Sequence, residues 1–228
     1  MRLGLSSVRR GHRTRHDFPF RKQWRRALVQ TYGREEGDRL LSAFSVRYAE
    51  VLAARPAFVA DSPVLTKDFE LVIAPLLAAH AVFVAEGAAD PVSKVAEARA
   101  PIAAGRARSM QAMMRLLFTW PLFRWGVRKL MTLGMPPVGG WDWEWVEDSG
   151  KRLAFDVHGC FFQRVYAHYG VPELTRVSCD ADDILFARLP RDIQFVREGT
   201  LGRGQPRCDF AFLRSGSGPI PLSVNRAP

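Results

Sequence analysis

The chain has 228 residues, of which 47% are hydrophobic and 25% are charged. This composition excludes a disordered or collagen-like chain, and the length is sufficient for a sizeable core in one domain or two small ones. No segment repeats at a fixed period, which excludes solenoid and propeller folds. We therefore expect one compact fold.

The formal net charge of +10 is concentrated at the N-terminus. Residues 1–30 contain nine Lys or Arg and one acidic residue, a surplus of eight that leaves +2 for the rest of the chain. We predict that residues 1–20 form a basic disordered arm that favours solubility or contacts a partner. Nucleic-acid binding is disfavoured because the only aromatic residues among these charges are Phe18, Phe20 and Trp24.

Two features favour a cytoplasmic protein. The basic arm is not followed by the apolar segment and small-residue cleavage site of a secretory signal. The longest uncharged run, residues 71–85, has fifteen residues, whereas a spanning helix needs about 20. It therefore predicts a buried helix. In a reducing compartment the three cysteines remain free thiols.

Apolar residues at three- and four-residue spacing predict helices in residues 21–134. In chain order they are 35–54, 68–86 with a kink or start at Pro75, 91–105 with an interruption at Pro101, and 109–133 with a break at Pro121. The last of these mixes apolar and basic side chains. Packing on a sheet with snorkelling basic residues is favoured over contact with a membrane surface.

After Gly134 the apolar period changes to two, which predicts strands. Residues 135–140 are a connector, and the predicted elements that follow are a hairpin of 141–148 and 152–159, a helix from Cys160 to Gly170, a short helix over 180–188, and a hairpin of 193–201 and 207–214. The sequence thus predicts an α+β fold, with N-terminal helices packed on a small antiparallel sheet that carries inserted short helices. We expect residues 21–134 and 135–214 to form one domain, followed by a C-terminal tail, 215–228.

The three cysteines lie at predicted element boundaries. Cys160 lies where a strand ends and a helix begins, Cys179 precedes the acidic start of the next helix, and Cys208 opens the last strand. The N–H groups at a helix N-terminus stabilise a thiolate and lower the thiol pKa. Cys160 and Cys179 are therefore candidate nucleophiles, whereas Cys208 alternates with aromatic residues as a small core residue does.

The strand before Cys160 carries two further candidate catalytic side chains, Asp156 and His158. In a strand, residues two apart share a face, so Asp156, His158 and Cys160 are expected to line up as acid, imidazole and thiol. The alternative is a buried thiol, a solvated histidine and a capping aspartate. Arg197 and Thr200 face opposite sides of a regular strand, so only one of them can line a pocket unless the strand is bulged.

A zinc site is a further alternative, because three cysteines and a histidine are a zinc donor set. Structural zinc ligands usually come in pairs with two to four residues between them, whereas the successive cysteines here are 19 and 29 positions apart. The spacing disfavours this site, and we predict no metal and no cofactor.

Residues 140–214 resemble the L-2-amino-thiazoline-4-carboxylic acid hydrolase family. The similar features are FDVHGC followed by FF, then YGVPEL, CDADD and IQFVREGTLGRGQPRCDF. The matching positions are Cys160, Gly170, Pro172, Glu173, Leu174, Cys179, Asp182, Thr200, Leu201, Gly204, Cys208 and Phe210. His158 lies outside the family pattern, and the basic arm is additional.

The resemblance implies hydrolytic opening of a cyclic amidine in cysteine-derived or secondary metabolism of bacterial type. It implies a substrate with a carboxylate, for which Arg197 is the candidate ligand. Thr200 and, independently of the resemblance, His158 are the further candidates for substrate binding. Cys160 or Cys179 would be the nucleophile and Asp182 or Asp156 the proton carrier, and Cys208, which matches the family pattern, is a further catalytic candidate. A non-catalytic small-molecule-binding protein of the same fold is the alternative, and the sequence does not predict an oligomeric state.

Overall fold

The structure is a computed structural model that describes residues 18–60 and 62–216, and it has the predicted α+β fold. Most of the predicted arm 1–20 and of the predicted tail 215–228 lies outside the described residues. Phe18 and Trp24 are buried and pack edge-to-face against each other. Their rings are therefore part of the core and are not available to stack on nucleic-acid bases.

The N-terminal helices are α1 (Arg21–Tyr32), α2 (Arg34–Ala53), α3 (Pro63–Asp68), α4 (Ala74–Ala85), α5 (Pro91–Leu117) and α6 (Trp120–Gly134). The helices α1, α2, α4 and α5 pack on one another and bury a cluster that includes Phe44, Phe69 and Ile73. The amphipathic pattern of 35–54 thus predicted α2 to within a residue, because its apolar stripe is the face that packs on α4.

A π-helical segment, Phe69–Ile73, joins α3 to α4. It ends just before Pro75, which lacks the N–H group needed for a regular helical hydrogen bond. The irregularity predicted at this proline is therefore a π-helical turn and not a sharp kink. The continuous helical stretch Pro63–Ala85 is long and apolar enough to cross a membrane, but 56% of its apolar window is buried inside the protein. The prediction of a buried helix over 71–85 is confirmed.

The structure corrects two predictions for the next helices. The predicted gap between residues 105 and 109 does not exist, because α5 continues through it to Leu117. Pro101 lies inside the continuous helix α5 and does not interrupt it, because α5 is held along its length by packing on α1, α4 and α8. The predicted break before Pro121 is confirmed: Thr119 is extended and α6 begins at Trp120. The side chain of Asp90 caps the start of α5 by accepting hydrogen bonds from the N–H and hydroxyl of Ser93.

The strands of the described chain are β1 (Asp142–Asp148), β2 (Arg152–Gly159), β3 (Ile193–Val196) and β4 (Cys208–Arg214). They form one antiparallel sheet in the order β1-β2-β4-β3, which contains both predicted hairpins and joins them through the pairing of β2 with β4. β3 is shorter than the predicted strand 193–201, because the chain leaves the sheet after Val196 and forms a 3-10 turn at Leu201–Arg203.

Two helices follow β2 in the chain, α7 (Phe161–His168) and α8 (Leu174–Phe186). The prediction that the acidic run begins a helix at 180 is wrong, since α8 begins six residues earlier at Leu174. On the inner face of the sheet, Phe212 of β4 packs against Phe123 of α6 and Phe186 of α8. The helices and the sheet thus enclose the space described next.

Candidate functional site

One face of α8 is polar and lines a cavity of about 440 Å³. Thr175, Ser178, Cys179 and Asp182 all contribute to this lining. Their spacing of i, i+3, i+4 and i+7 places them on one side of an α-helix. The opposite wall is the inner face of β2 and β4, including Cys208, and α5 and α6 close the remaining side.

Cys179 and Cys208 come together at the polar end of this cavity, although 28 residues lie between them in the sequence. The two thiols interact directly, and each is the largest single influence on the pKa of the other. The N–H of Leu201 donates to the Cys208 Sγ at 3.2 Å, and the N–H of Gly202 faces the Cys179 sulfur. Two successive backbone donors of the 3-10 turn therefore point at the sulfur pair, an arrangement that favours a thiolate.

The two thiols are shifted in opposite directions in pKa. Hydrogen bonding from Cys208 lowers the pKa of Cys179, with further support from Arg197 and the Gly202 N–H and opposition from burial and Asp182. The same contact raises the pKa of Cys208, and burial adds to the effect. Cys179 is therefore the sulfur that ionises first, with Cys208 as the neutral donor.

Gly202 is needed where it lies because the 3-10 turn passes directly over α8. A Cβ at this position would be 2.9 Å from the Cys179 Sγ and 3.0 Å from the Arg176 backbone nitrogen. Such contacts require the backbone to move apart. The absence of a side chain thus keeps the N–H donors against the sulfurs.

Arg197 ties the chain after β3 to α8. Its almost fully buried guanidinium bonds to Asp183 at 2.5 Å, to Asp182 at 3.4 Å and to the Cys179 carbonyl at 3.1 Å. Burial raises the pKa of Asp182 to about 6, and Arg197 opposes this shift. Asp182 therefore changes protonation near neutral pH, beside the sulfur pair.

Cys160 also lines the cavity and is the N-cap residue of α7, as predicted. The prediction that this position lowers its pKa is wrong. Burial raises the pKa of Cys160 to about 11, which outweighs the opposing effect of the N–H groups of Phe162 and Gln163. Cys160 is therefore a protonated thiol in the cavity wall.

A family model of the L-2-amino-thiazoline-4-carboxylic acid hydrolases matches residues 71–212, more than half of the chain. The chain belongs to this family. The match includes the three cysteines, Asp182 and Arg197, and it extends back from the sheet into α4, α5 and α6. No curated protein and no solved structure matches the chain in the same comparisons.

Three further residues at the site of this family member were missed by the sequence analysis. Thr175 lies in the cavity wall with its hydroxyl buried and without a hydrogen-bond partner among the described residues. Ser178 bonds through its hydroxyl to the buried Tyr166 at 3.0 Å. Arg99 of α5 donates to the Val177 carbonyl at 2.7 Å, and its charge acts on Asp182. A helix begun at 174 instead of 180 would have placed Thr175 and Ser178 beside Cys179.

Asp156 and His158 do not join the cavity, so the expected alignment with Cys160 is wrong. The strand alternation ends at Gly159, and the side chains of Asp156 and His158 lie on the outer face of the sheet. Asp156 forms an ion pair with Arg207, and His158 is exposed. Thr200 is buried but lies outside the cavity lining, and its carbonyl accepts from the turn that follows it.

The described residues contain one group of side chains that could hold a metal ion. It consists of Glu144, Asp156 and His158, whose donor atoms lie within 4.8 Å of one another on the outer sheet face. The three sulfurs of the family member do not form such a group among the described residues. The zinc alternative based on the cysteines is therefore not supported by their placement.

Proposed function

We propose that this protein is a cysteine-dependent hydrolase that opens the ring of a cyclic amidine, with Cys179 as the nucleophile. The observation that carries the proposal is the Cys179–Cys208 sulfur pair under two backbone N–H donors, with Asp182 next to it in one cavity. An activated thiolate with an adjacent proton carrier is the arrangement required for covalent hydrolysis. Family membership supports hydrolysis as the reaction type.

The reaction proceeds in two steps. The Cys179 thiolate attacks the amidine carbon, the ring C–S bond breaks, and the departing sulfur takes a proton from the neutral Asp182 carboxyl group. The product of this step is an S-linked isothiourea on Cys179 with a free substrate thiol. Asp182, now a carboxylate, accepts a proton from water, which attacks the same carbon and displaces Cys179 as thiolate. One water is consumed, and the amidine carbon becomes the carbonyl of a urea.

The remaining polar groups have positioning roles in this proposal. Arg197 holds Asp182 and α8 in place, and its 3.4 Å contact to Asp182 is its longest. Transfer of a proton to Asp182 weakens that contact, so the Nη1 group of Arg197 can turn to a substrate carboxylate while Nη2 stays bonded to Asp183 and the Cys179 carbonyl. Thr175 lines the cavity with a buried hydroxyl that has no partner among the described residues, and in this proposal it donates to a ring nitrogen. A reducing cytoplasm fits this chemistry, since Cys179 attacks only as a free thiolate.

The direct test follows release of a new thiol from 2-amino-thiazoline-4-carboxylate with each cysteine replaced by serine. We expect Cys179→Ser to lower kcat by about 1,000-fold or more, as loss of a nucleophile does in other covalent hydrolases. Cys160→Ser, the matched control in the same cavity, loses much less. Wild-type turnover in the Cys179→Ser variant would exclude thiol catalysis at this position.

A second measurement separates the hydrolase from a non-catalytic binding protein. Iodoacetamide at pH 6 alkylates thiolates, and an ordinary thiol is almost fully protonated at that pH. We expect a single modified peptide that contains Cys179, and protection of that cysteine by substrate. The non-catalytic binding protein would be indicated if no cysteine is alkylated at pH 6 and no thiol is released from the substrate.

A further inference from the structure

The cavity extends well beyond the polar groups proposed for catalysis. Its volume of about 440 Å³ falls within the usual range for pockets that bury drug-sized ligands, about 300–1,000 Å³. A single five-membered ring with an amino group and a carboxylate occupies only the part beside α8. The rest of the space, which we call the apolar arm, lies between α5 and α6. It is lined by Met110, Met114, Phe118, Phe123, Val127 and Leu130.

The polar and apolar parts of the lining come from different elements. Thr175, Ser178, Cys179 and Asp182 come from α8, and Arg197 follows β3. Every described residue that α5 and α6 contribute to the cavity is apolar or a glycine. Water in the apolar arm would find no side-chain partner on these two helices, and pockets of this kind favour apolar ligands.

The apolar arm is also open to the outside and adaptable. Met110, Met113 and Leu130 line the cavity and are 43%, 41% and 59% exposed, so the arm reaches solvent between α5 and α6. Methionine side chains are unbranched and flexible, and they accommodate ligands of different shape. The arm therefore suits a chain or ring that enters from this side.

We propose that the substrate is a cyclic amidine carboxylate whose exocyclic nitrogen carries an apolar group, and that this group occupies the apolar arm. The inference rests on the proposed function, because Cys179 and Arg197 fix the amidine carbon and the carboxylate at the polar end. The exocyclic nitrogen is bonded to the amidine carbon and lies across the ring from the carboxylate. A substituent on this nitrogen therefore points away from α8 and into the arm.

The test uses 2-(alkylamino)-thiazoline-4-carboxylates in which the alkyl group is lengthened from ethyl to butyl to hexyl, with the unsubstituted amine as reference. Affinity is measured by calorimetry on the Cys179→Ala variant, and kcat/KM is measured on the unaltered protein. Burial of one methylene strengthens binding by about fourfold. We expect the dissociation constant to fall by about this factor per methylene and kcat/KM to rise in parallel.

Variants of α6 show whether the chain binds in the apolar arm. Gly126→Leu puts a side chain into the arm, and its Cβ would meet Phe118 at 3.4 Å, an ordinary contact that the helix tolerates. Val127→Trp is a second filling variant, and Leu133→Trp is the matched control because Leu133 is exposed and outside the cavity. The filling variants should lose the dependence on chain length, and the control should keep it.

Each outcome separates the inference from the proposed function. If affinity rises with chain length but no compound is opened, the apolar arm is supported and the proposed hydrolysis fails. If the unsubstituted ring is opened while affinity and kcat/KM are independent of chain length, the hydrolysis stands and the inference is overturned. The inference is also overturned if both filling variants keep the wild-type dependence.

Discussion

Replacing Gly202 by alanine tests the role of the 3-10 turn above the sulfur pair. The new Cβ would be 2.9 Å from the Cys179 Sγ and 3.0 Å from the Arg176 nitrogen, so the turn must move away from α8. Overpacking of this kind costs about 1–3 kcal/mol of folding free energy. A hydrogen bond to a charged group contributes about 1.5–3 kcal/mol. Loss of the Gly202 N–H contact should therefore raise the pKa of Cys179 by about one to two units.

The assay is the rate of iodoacetamide alkylation at Cys179 as a function of pH, with urea unfolding measured in parallel. At pH 6 we expect Gly202→Ala to react about 10–100-fold more slowly, because one pKa unit is a factor of ten in thiolate. Gly37→Ala is the matched control: its Cβ would be 2.7 Å from the Val29 nitrogen, which overpacks α1 on α2 outside the cavity. If Gly202→Ala is destabilised yet keeps the wild-type pH profile, the backbone donors do not stabilise the thiolate.

The other predictions address the proton carrier, the outer sheet face and the core. Since burial raises the pKa of Asp182 to about 6, its neutral donor form is lost as pH rises through that value. Asp182→Asn should lower kcat/KM by about 10²–10⁴ and remove the fall in activity above pH 6 in a pH–rate profile. His158→Ala should leave thiol release unchanged, and a large loss would contradict its placement outside the cavity. Tyr166→Phe removes a hydrogen bond to Ser178 and should lower the urea-derived stability by about 0.5–1.5 kcal/mol. Phe44→Ala should lower the free energy of unfolding by about 3–5 kcal/mol. A much smaller loss would mean that neighbouring core side chains move to fill the space left by the ring.

Elements whose pattern is local were predicted well. The apolar stripe over 35–54 is the buried face of α2, and the alternation over 141–159 is the first hairpin of the sheet. When one face of a helix or strand is buried, its apolar residues recur with a regular period in the sequence. That period can be recognised without knowing which element covers the face. The same holds for the start of α7, where a strand gives way to a helix at Cys160.

Elements whose limits depend on packing were predicted less well. Pro101 does not end α5, because contacts on several neighbouring helices hold the helix across the missing hydrogen bond. Acidic residues at 180–183 resemble a helix start, but they lie inside α8, where Asp180 and Asp183 pair with Arg203. In both cases tertiary contacts outweigh the local preference.

Composition, periodicity and motif spacing were sufficient to predict the α+β class, the family, and the cysteines with Asp182 as candidates for chemistry. The folded structure was needed to show that the pKa of Cys179 is lowered while those of Cys160 and Cys208 are raised. It was also needed to place Asp156 on the other side of the sheet. The difference arises because periodicity in a sequence shows only which face of a single element is buried. The thiol pKa values depend on groups brought from β4, α8 and the 3-10 turn, whose meeting is fixed by packing across the whole domain.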